Sequence, residues 1–259
     1  MFAIIGFGQT PRGHLNRGNE KLDIKNYIGA IEDFNRAIEK NGKYAKAYNN
    51  RGNAKKELGD YSGAMSDYNM AIQINPKLAI VYYNRGVLKH TLKDNIEAIN
   101  DLTLAIEKDR NYATAYCERG LTKSELMDYN GAMGDYNMAI QINPKLAIVY
   151  YNRGVLKGTL EDHIGAISDY NIAIDINPRY ALAYYNRAVE KIALKDDVGA
   201  IGDFTLAIKI DPNDATSYYN RGIEKIVLGQ KDSGCLDLKK AKELGFEKAS
   251  FLIEMLSQT

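Results

Sequence analysis

The sequence is poor in the residues that build covalently or metal-stabilised folds. It has no tryptophan, two cysteines and three histidines among 259 residues. Cys117 and Cys235 stand far apart, so we expect no disulfide framework and take a reducing compartment as the default. His14, His90 and His163 form no H-x-x-x-H pattern, and no C-x-x-C spacing occurs. We therefore expect neither a bound metal nor another cofactor.

An excess of charge of either sign is also lacking. The 34 lysines and arginines are interleaved with 33 aspartates and glutamates, which leaves a net charge of +1. A nucleic-acid partner is not expected, because phosphate binding needs a concentrated basic face. Glycine-rich phosphate loops and G-x-S-x-G elbows are missing, and no single position pairs a nucleophile with a base. The chain is therefore not expected to be an enzyme.

Long apolar runs are missing as well. The N-terminal MFAIIGFGQT is apolar, but it has no basic stretch before it and is too short to span a membrane. We expect residues 1–10 to form a strap on the domain that follows, and a processed or mis-started export signal is the alternative. No other segment approaches transmembrane length, so we expect a cytoplasmic protein without a membrane span.

What the sequence has in abundance is repetition. Residues 67–89 and 135–157 both read DYNMAIQINPKLAIVYYNRGVLK. A catalytic site is needed once, so verbatim repetition indicates an element that works by stacking copies. The arginine of an N-R-G tripeptide, or of a close variant, recurs every 34 residues: Arg17, Arg51, Arg85, Arg119, Arg153, Arg187 and Arg221. Such a strict period is typical of a solenoid, in which no unit can bury its apolar face alone.

Each 34-residue unit reads as two helices. Positions 1 to 34 are counted from residues 11, 45, 79, 113, 147, 181 and 215. In the second unit, AKAYNNRGNAKKELG and YSGAMSDYNMAIQI carry small and apolar residues at helical spacing on either side of a Gly59-Asp60 turn. Pro76 ends the second helix because it has no N–H to continue it. Small residues at positions 8, 20 and 27 allow two helices to approach closely.

These positions resemble the tetratricopeptide repeat family. Its pattern of aromatic 4, Gly 8, Tyr 17, Ala 20, aromatic 24, Ala 27 and Pro 32 is matched in full by Tyr48, Gly52, Tyr61, Ala64, Tyr68, Ala71 and Pro76. The resemblance implies an all-α, right-handed superhelical solenoid of seven tandem antiparallel helix pairs with a C-terminal capping helix at 249–259. The seven units would span 11–44, 45–78, 79–112, 113–146, 147–180, 181–214 and 215–248, within one domain.

Three charged positions are invariant through the seven units. Position 7 is arginine, position 11 is lysine and position 23, on the second helix, is aspartate. Positions 7 and 11 lie one turn apart on the same helix face. A basic stripe for an acidic ligand is one interpretation. We favour an internal ion-pair ladder that fixes how the helices stack, because a charge that faces a partner helix must be paired.

In the family, positions 2, 5, 6, 9, 12 and 13 of the first helix face a concave groove. Position 6 is asparagine in six units: Asn16, Asn50, Asn84, Asn152, Asn186 and Asn220. Each amide offers a donor and an acceptor, so a ladder of them can bind the backbone of an extended peptide. Tyrosines and valines flank it at positions 5 and 9, and Lys46 makes the N-terminal part more polar: Tyr83, Tyr151, Tyr185, Tyr219, Val87, Val155 and Val189.

The resulting hypothesis is a non-catalytic interaction scaffold that binds an extended segment of a protein or peptide partner in the groove. Its apolar part would lie toward the C-terminal units, where tyrosines and aliphatic side chains provide anchors. Two alternatives stay open. The asparagines could instead cap or pack between adjacent first helices while the tyrosines fill the inner wall, and the stack could be a structural unit that self-associates into a homo-oligomer.

Overall fold

The computed structural model describes residues 10–257, and within this range the chain folds into helices joined by short turns. The predicted N-terminal strap lies outside the described residues except for Thr10, which caps the first helix by accepting a hydrogen bond from Gly13 N. The described range contains fifteen helices and no strand: α1 (Pro11–Asp23), α2 (Tyr27–Lys40), α3 (Ala45–Glu57), α4 (Tyr61–Ile74), α5 (Ala79–Thr91), α6 (Asn95–Lys108), α7 (Ala113–Glu125), α8 (Tyr129–Ile142), α9 (Ala147–Thr159), α10 (His163–Ile176), α11 (Ala181–Ala193), α12 (Asp197–Ile210), α13 (Ala215–Val227), α14 (Lys231–Glu243) and α15 (Lys248–Ser257).

The chain divides into two compact units, residues 1–142 and 143–259. The first contains α1–α8 and the second contains α9–α15. Within each unit the helices contact one another in consecutive pairs, beginning with α1 against α2 in the first unit and α9 against α10 in the second, and α15 packs on α14. This arrangement confirms the predicted all-α repeat solenoid. The domain limits inferred from the 34-residue ruler stay a prediction.

Each first helix ends in a tight turn that reverses the chain. The residue at position 15 has a positive φ in all seven repeats: Lys25, Gly59, Lys93, Met127, Glu161, Lys195 and Gly229. The next N–H then bonds a carbonyl five residues back, as from Asp60 N to Lys55 O at 2.9 Å. Position 16 caps the second helix in several repeats, as where Asp162 Oδ1 accepts from Gly165 N at 2.9 Å.

The two helices of a pair approach closely because position 8 is glycine in six repeats and alanine, Ala188, in the other. A Cβ on Gly52 would lie 2.7 Å from Cε1 of Tyr68 and 3.3 Å from the carbonyl oxygen of Ala64, both on α4. Tyr68 is fully buried, and its hydroxyl donates to Asn53 Oδ1 at 2.7 Å. Position 8 of the first helix thus contacts positions 20 and 24 of the second helix. Position 11 of the first helix contacts position 19 of the second, as where Lys21 Nζ donates to the Gly29 carbonyl oxygen at 3.1 Å. Contacts that run in opposite senses along the two helices are those of an antiparallel pair.

A buried aspartate joins the two helices of every pair. In the fifth repeat, Arg153 Nη2 lies 2.7 Å from Asp169 Oδ1 and Lys157 Nζ lies 2.8 Å from Asp169 Oδ2. The same arginine–aspartate–lysine contact occurs in all seven repeats, which confirms the predicted ion-pair ladder: Asp33, Asp67, Asp101, Asp135, Asp169, Asp203 and Asp237. The ladder therefore pairs these cations with a buried carboxylate in every repeat, which favours the ion-pair interpretation over a basic stripe for an acidic ligand.

The arginines also connect one pair to the next. Arg85 Nη1 donates to Asn69 Oδ1 of the preceding second helix at 2.7 Å, while its Nε and Nη2 bind Asp101. Its guanidinium carbon lies 5.8 Å from the ring centroid of Tyr82, one turn earlier. One side chain thus joins three helices and links one helix pair to the next.

Replacing a ladder aspartate should destabilise the fold strongly. The Asp169 side chain is 2% exposed, and its removal leaves an arginine and a lysine facing a partner helix without their counter-ion. We expect Asp169→Ala to lower the free energy of unfolding by about 2 to 4 kcal/mol, as for breaking a buried ion pair. Urea denaturation followed by circular dichroism measures this loss.

The matched control is Asp175→Ala on the same helix, because Asp175 is exposed. This control should change stability by less than about 0.5 kcal/mol. Equal effects of the two substitutions would show that the ladder contributes nothing specific.

Candidate functional site

The first helices present the side chains that the sequence marked as a binding groove. We call positions 2, 5, 6, 9, 12 and 13 of α1, α3, α5, α7, α9, α11 and α13 the first-helix face. Adjacent first helices contact one another within each unit, as α3 contacts α5 and α9 contacts α11. Each second helix buries its small residues against its own first helix, as Ala64 of α4 lies beside Gly52 of α3.

The asparagines of this face form hydrogen bonds to the preceding first helix. Asn186 Nδ2 donates to the Tyr151 hydroxyl at 3.0 Å, and Asn220 Nδ2 donates to the Tyr185 hydroxyl at 2.9 Å. Where tyrosine is missing at position 5, another asparagine accepts: Asn84 Nδ2 donates to Asn49 Oδ1 at 2.9 Å. The amide nitrogens thus support the stack, as the packing alternative predicts.

The remaining ladder residues differ in detail. Asn50 Nδ2 donates to Asn19 Oδ1 at 2.7 Å, and Asn16 is exposed on α1. Among the described residues, no donor bonds the carbonyl oxygens of Asn186 and Asn220. Two amide oxygens, one repeat apart, therefore remain as acceptors on this face.

The tyrosines at position 5 are half-buried and fixed by neighbouring rings. The Tyr83 ring lies 5.1 Å from that of Tyr112, and the Tyr151 ring lies 4.9 Å from that of Tyr180, which are contacts to the loop that precedes the next first helix. Tyr219 contacts Phe246 in the same way at 4.6 Å. Burial raises the pKa of the Tyr83 and Tyr151 hydroxyls above the ordinary value, so both stay neutral at physiological pH.

The two units differ in the charge of this face. Positions 2, 5, 6, 9, 12 and 13 of α9, α11 and α13 hold only uncharged residues. Val155 and Val189 are 39% and 40% exposed there, and Ile148 and Leu182 are 43% and 56% exposed. In the first unit the face carries Val87, which is half-buried, together with charged side chains: Arg12, Asp23, Lys46, Lys56, Glu57, Glu118 and Glu125.

Comparisons with known proteins agree with this architecture. A family model described as TPR repeat matches residues 52–93, and one described as Tetratricopeptide repeat matches residues 79–112. The chain is a tetratricopeptide repeat protein. Repeats of this family generally serve as protein-interaction scaffolds, are typically non-catalytic and bind protein or peptide partners. No curated protein matches the sequence.

Solved structures share the fold of this tetratricopeptide repeat protein at low sequence identity. A tetratricopeptide repeat protein from Parabacteroides merdae is 21% identical, with a TM-score of 0.68, over 95% of this chain and 98% of that one. PilF of Pseudomonas aeruginosa is 18% identical, with a TM-score of 0.71, over 79% and 95% of the two chains. The TPR protein YrrB is 22% identical, with a TM-score of 0.54, over 68% and 90%.

Among the described residues of this tetratricopeptide repeat protein, no cluster of His, Cys, Asp and Glu is suited to hold a metal ion. Within the same residues, none of the helices has the length and apolar character needed to cross a bilayer.

One charged cluster of this face was missed by sequence reasoning. His90 on α5 lies between two glutamates of α7, with Nδ1 2.7 Å from Glu118 Oε1 and Nε2 3.0 Å from Glu125 Oε1. Glu118 stands at the one position 6 that is not asparagine, and sequence reasoning assigned His90 no role beyond its lack of a metal-ligand pattern. Their relation could have been found from the positions they occupy, 12, 6 and 13, which all belong to the first-helix face.

The glutamates should make His90 a stronger base than a free histidine. The hydrogen bond to Glu118 raises the pKa of His90, and burial lowers it by less, so the net pKa lies above 6.5. Protonated His90 therefore stabilises the α5–α7 contact below about pH 6.5, and this stabilisation is lost as pH rises through the raised pKa. An NMR titration of the imidazole should show the raised pKa and a lower value in Glu118→Gln.

An unchanged His90 titration in Glu118→Gln would mean that the ion pair does not form in solution.

Proposed function

We propose that this tetratricopeptide repeat protein is a non-catalytic scaffold that binds an extended peptide segment of a partner protein on its first-helix face. The observation that carries the proposal is the uncharged face of α9, α11 and α13, where exposed aliphatic side chains alternate with tyrosines and asparagine acceptors. Charged side chains are normally interspersed over the whole surface of a soluble domain. A face without them, extending over three consecutive repeats, is suited to an uncharged, partly apolar ligand.

The chemistry of the ladder fits a peptide backbone. An extended peptide presents N–H groups at regular intervals, and Asn186 and Asn220 each retain a carbonyl oxygen that can accept one. Because the amide nitrogens already bind Tyr151 and Tyr185, these oxygens are held in place before a ligand arrives. Binding then costs little side-chain entropy, since the acceptors are ordered beforehand.

The apolar side chains provide the rest of the binding free energy. Val155, Val189 and Leu182 are each about 40 to 56% exposed on this face. A peptide side chain that covers them removes apolar area from water, which is worth about 25 cal/mol per Å². The structure of YrrB, a relative by fold, is described as having an unusual peptide-binding site, which supports peptide binding as a use of such a stack.

Self-association is a second candidate because of the last helix. Ala249 N bonds the Phe246 carbonyl at 3.0 Å, as Ala47 N bonds the Tyr44 carbonyl, so α15 resembles a further first helix that is displaced by two residues from the 34-residue ruler. Phe251 and Met255 then correspond to positions 5 and 9 of the first-helix face. Here they are 69% and 50% exposed. An amphipathic helix of another copy could cover this apolar pair.

Removing the acceptors should weaken peptide binding without unfolding the chain. We expect replacement of Asn152, Asn186 and Asn220 together by alanine to reduce affinity by roughly 1 to 3 kcal/mol, because each hydrogen bond contributes about 0.5 to 1.5 kcal/mol and losses need not add. The ligand is a peptide selected on the wild-type chain from a random-peptide phage library. Calorimetry measures its affinity, and circular dichroism should show unchanged helicity.

The control replaces two exposed asparagines of second helices, Asn100 and Asn130, by alanine and should leave the affinity unchanged. If the triple variant binds as well as the wild type, the first-helix face is not the binding site. Light scattering that shows a concentration-dependent oligomer would then favour self-association through α15.

A further inference from the structure

A pocket beside Tyr185 has a chemistry that differs from the rest of the uncharged face. Its volume is about 320 Å³, and it is lined by Ala181, Leu182, Tyr185, Asp211, Asp214 and Thr216. We propose that this pocket, the Tyr185 pocket, binds the side chain of an arginine in the partner segment. The inference rests on the proposed function, because the pocket adjoins the face on which the peptide would lie.

The pocket exists because one ring of the repeat pattern is missing. At position 34, two other loops place a tyrosine against the position-5 tyrosine, giving the pairs Tyr83–Tyr112 and Tyr151–Tyr180. The corresponding residue next to Tyr185 is Asp214, which is smaller. Its carboxylate turns into the first turn of α13 and accepts from Thr216 N and Ser217 N at 3.0 and 3.2 Å. One face of the Tyr185 ring is therefore left uncovered.

The uncovered ring is held rigidly from behind. The Tyr185 hydroxyl accepts from Asn220 Nδ2 at 2.9 Å, and the ring lies 5.6 Å from that of Phe204. Burial raises the pKa of Tyr185, and the nearby Asp214 carboxylate raises it further. A neutral, ordered phenol ring with a free face is a favourable surface for a guanidinium, which stacks on aromatic faces through its planar π-system.

The rim of the pocket carries only negative charge. Asp211 and Asp214 both line it, and none of the lining residues is a lysine or an arginine. Asp211 is exposed, and only its Oδ1 is engaged, by Asn213 N at 3.0 Å. The partial positive charge at the start of α13 offsets part of the Asp214 charge. The Asp211 carboxylate keeps one oxygen, Oδ2, for a contact with an incoming cation.

The first unit contains a pocket of similar size with the opposite charge. It encloses about 330 Å³ and is lined by Lys43, Tyr44, Ala45, Lys46, Ile74, Asn75 and Leu78. It adjoins the start of a first helix, as the Tyr185 pocket does, but two lysines stand at its edge. A cationic side chain should be repelled there, so the chain provides its own negative control.

The test compares two peptides that differ in one charge. Acetyl-Val-Arg-Val-amide and its citrulline analogue, which replaces the guanidinium by a neutral urea of the same shape, are titrated into the ¹⁵N-labelled full chain. We expect the arginine peptide to shift the backbone signals of Tyr185 and Thr216 with about tenfold higher affinity than the citrulline peptide. The signals of Lys46 should not move with either peptide.

Two substitutions separate charge from shape. Asp211→Asn removes the free carboxylate and should cut the preference for arginine about threefold or more. Asp214→Tyr inserts the ring found at Tyr112 and Tyr180, so it should close the pocket and abolish the shifts at Tyr185. Neither change should abolish the helices. Asp211 is exposed, and although Asp214→Tyr removes the acceptor of Thr216 N and Ser217 N, Tyr112 and Tyr180 precede first helices without a side-chain cap.

The proposal is overturned if the two peptides bind equally, if Asp214→Tyr still binds the arginine peptide, or if neither peptide shifts Tyr185. Each of these results leaves the proposed function to be judged separately by the asparagine variants and the library-selected peptide. Loss of the selected peptide in the triple asparagine variant, with equal binding of arginine and citrulline, would keep the groove and reject the pocket.

Discussion

The buried aspartate at position 23 is the contact on which the helix pairs depend. Its carboxylate takes a two-point contact from the arginine of the first helix and a third from the lysine one turn later, as Arg187, Lys191 and Asp203 show. Two cations and one anion in a confined space would be costly if any partner were missing. In Asp237, hydrogen bonds from Arg221 and Lys225 outweigh burial and keep the pKa below its ordinary value.

This contact also explains the character of the first-helix face. All fourteen cations at positions 7 and 11 are paired with the position-23 aspartates, and none of them belongs to the positions of the first-helix face. The face can then vary in charge without weakening the stack. In the second unit the positions of the face hold tyrosine, asparagine and valine among other uncharged residues, while in the first unit several equivalent positions hold lysine or glutamate. The ion-pair ladder and the first-helix face are thus separate sets of residues, although asparagines of the face also bond between adjacent first helices.

Sequence reasoning predicted most of the scaffold, because a residue that recurs every 34 positions reveals what each repeat requires. Gly52 against Tyr68, Asp169 with Arg153, and the helix limits near Asn75-Pro76 all follow from spacing and residue type. The contacts between repeats were harder to foresee. Nothing in the letters shows that Asn186 donates to a tyrosine hydroxyl on the preceding first helix, because that bond depends on the distance between two first helices.

Residues that depart from the repeat pattern have contacts that could not be predicted from periodicity. Glu118 breaks the asparagine ladder and binds His90, and Asp214 stands in place of a loop tyrosine and opens a pocket. A comparison of the seven repeats shows that these residues differ from their equivalents, but it does not show what they contact. Only the packed structure shows that a single exchange changes what a neighbouring side chain meets.

The most direct test of the account is a double-mutant cycle on Arg187 and Asp203. Both single alanine variants and the double variant are unfolded in urea, and the coupling free energy is taken from the four stabilities. A ladder that holds the helix pairs together predicts a coupling of about 1 to 3 kcal/mol, the upper range for residues in one charged network. A coupling of less than about 0.3 kcal/mol would contradict the account, because the two charges would then act independently of each other.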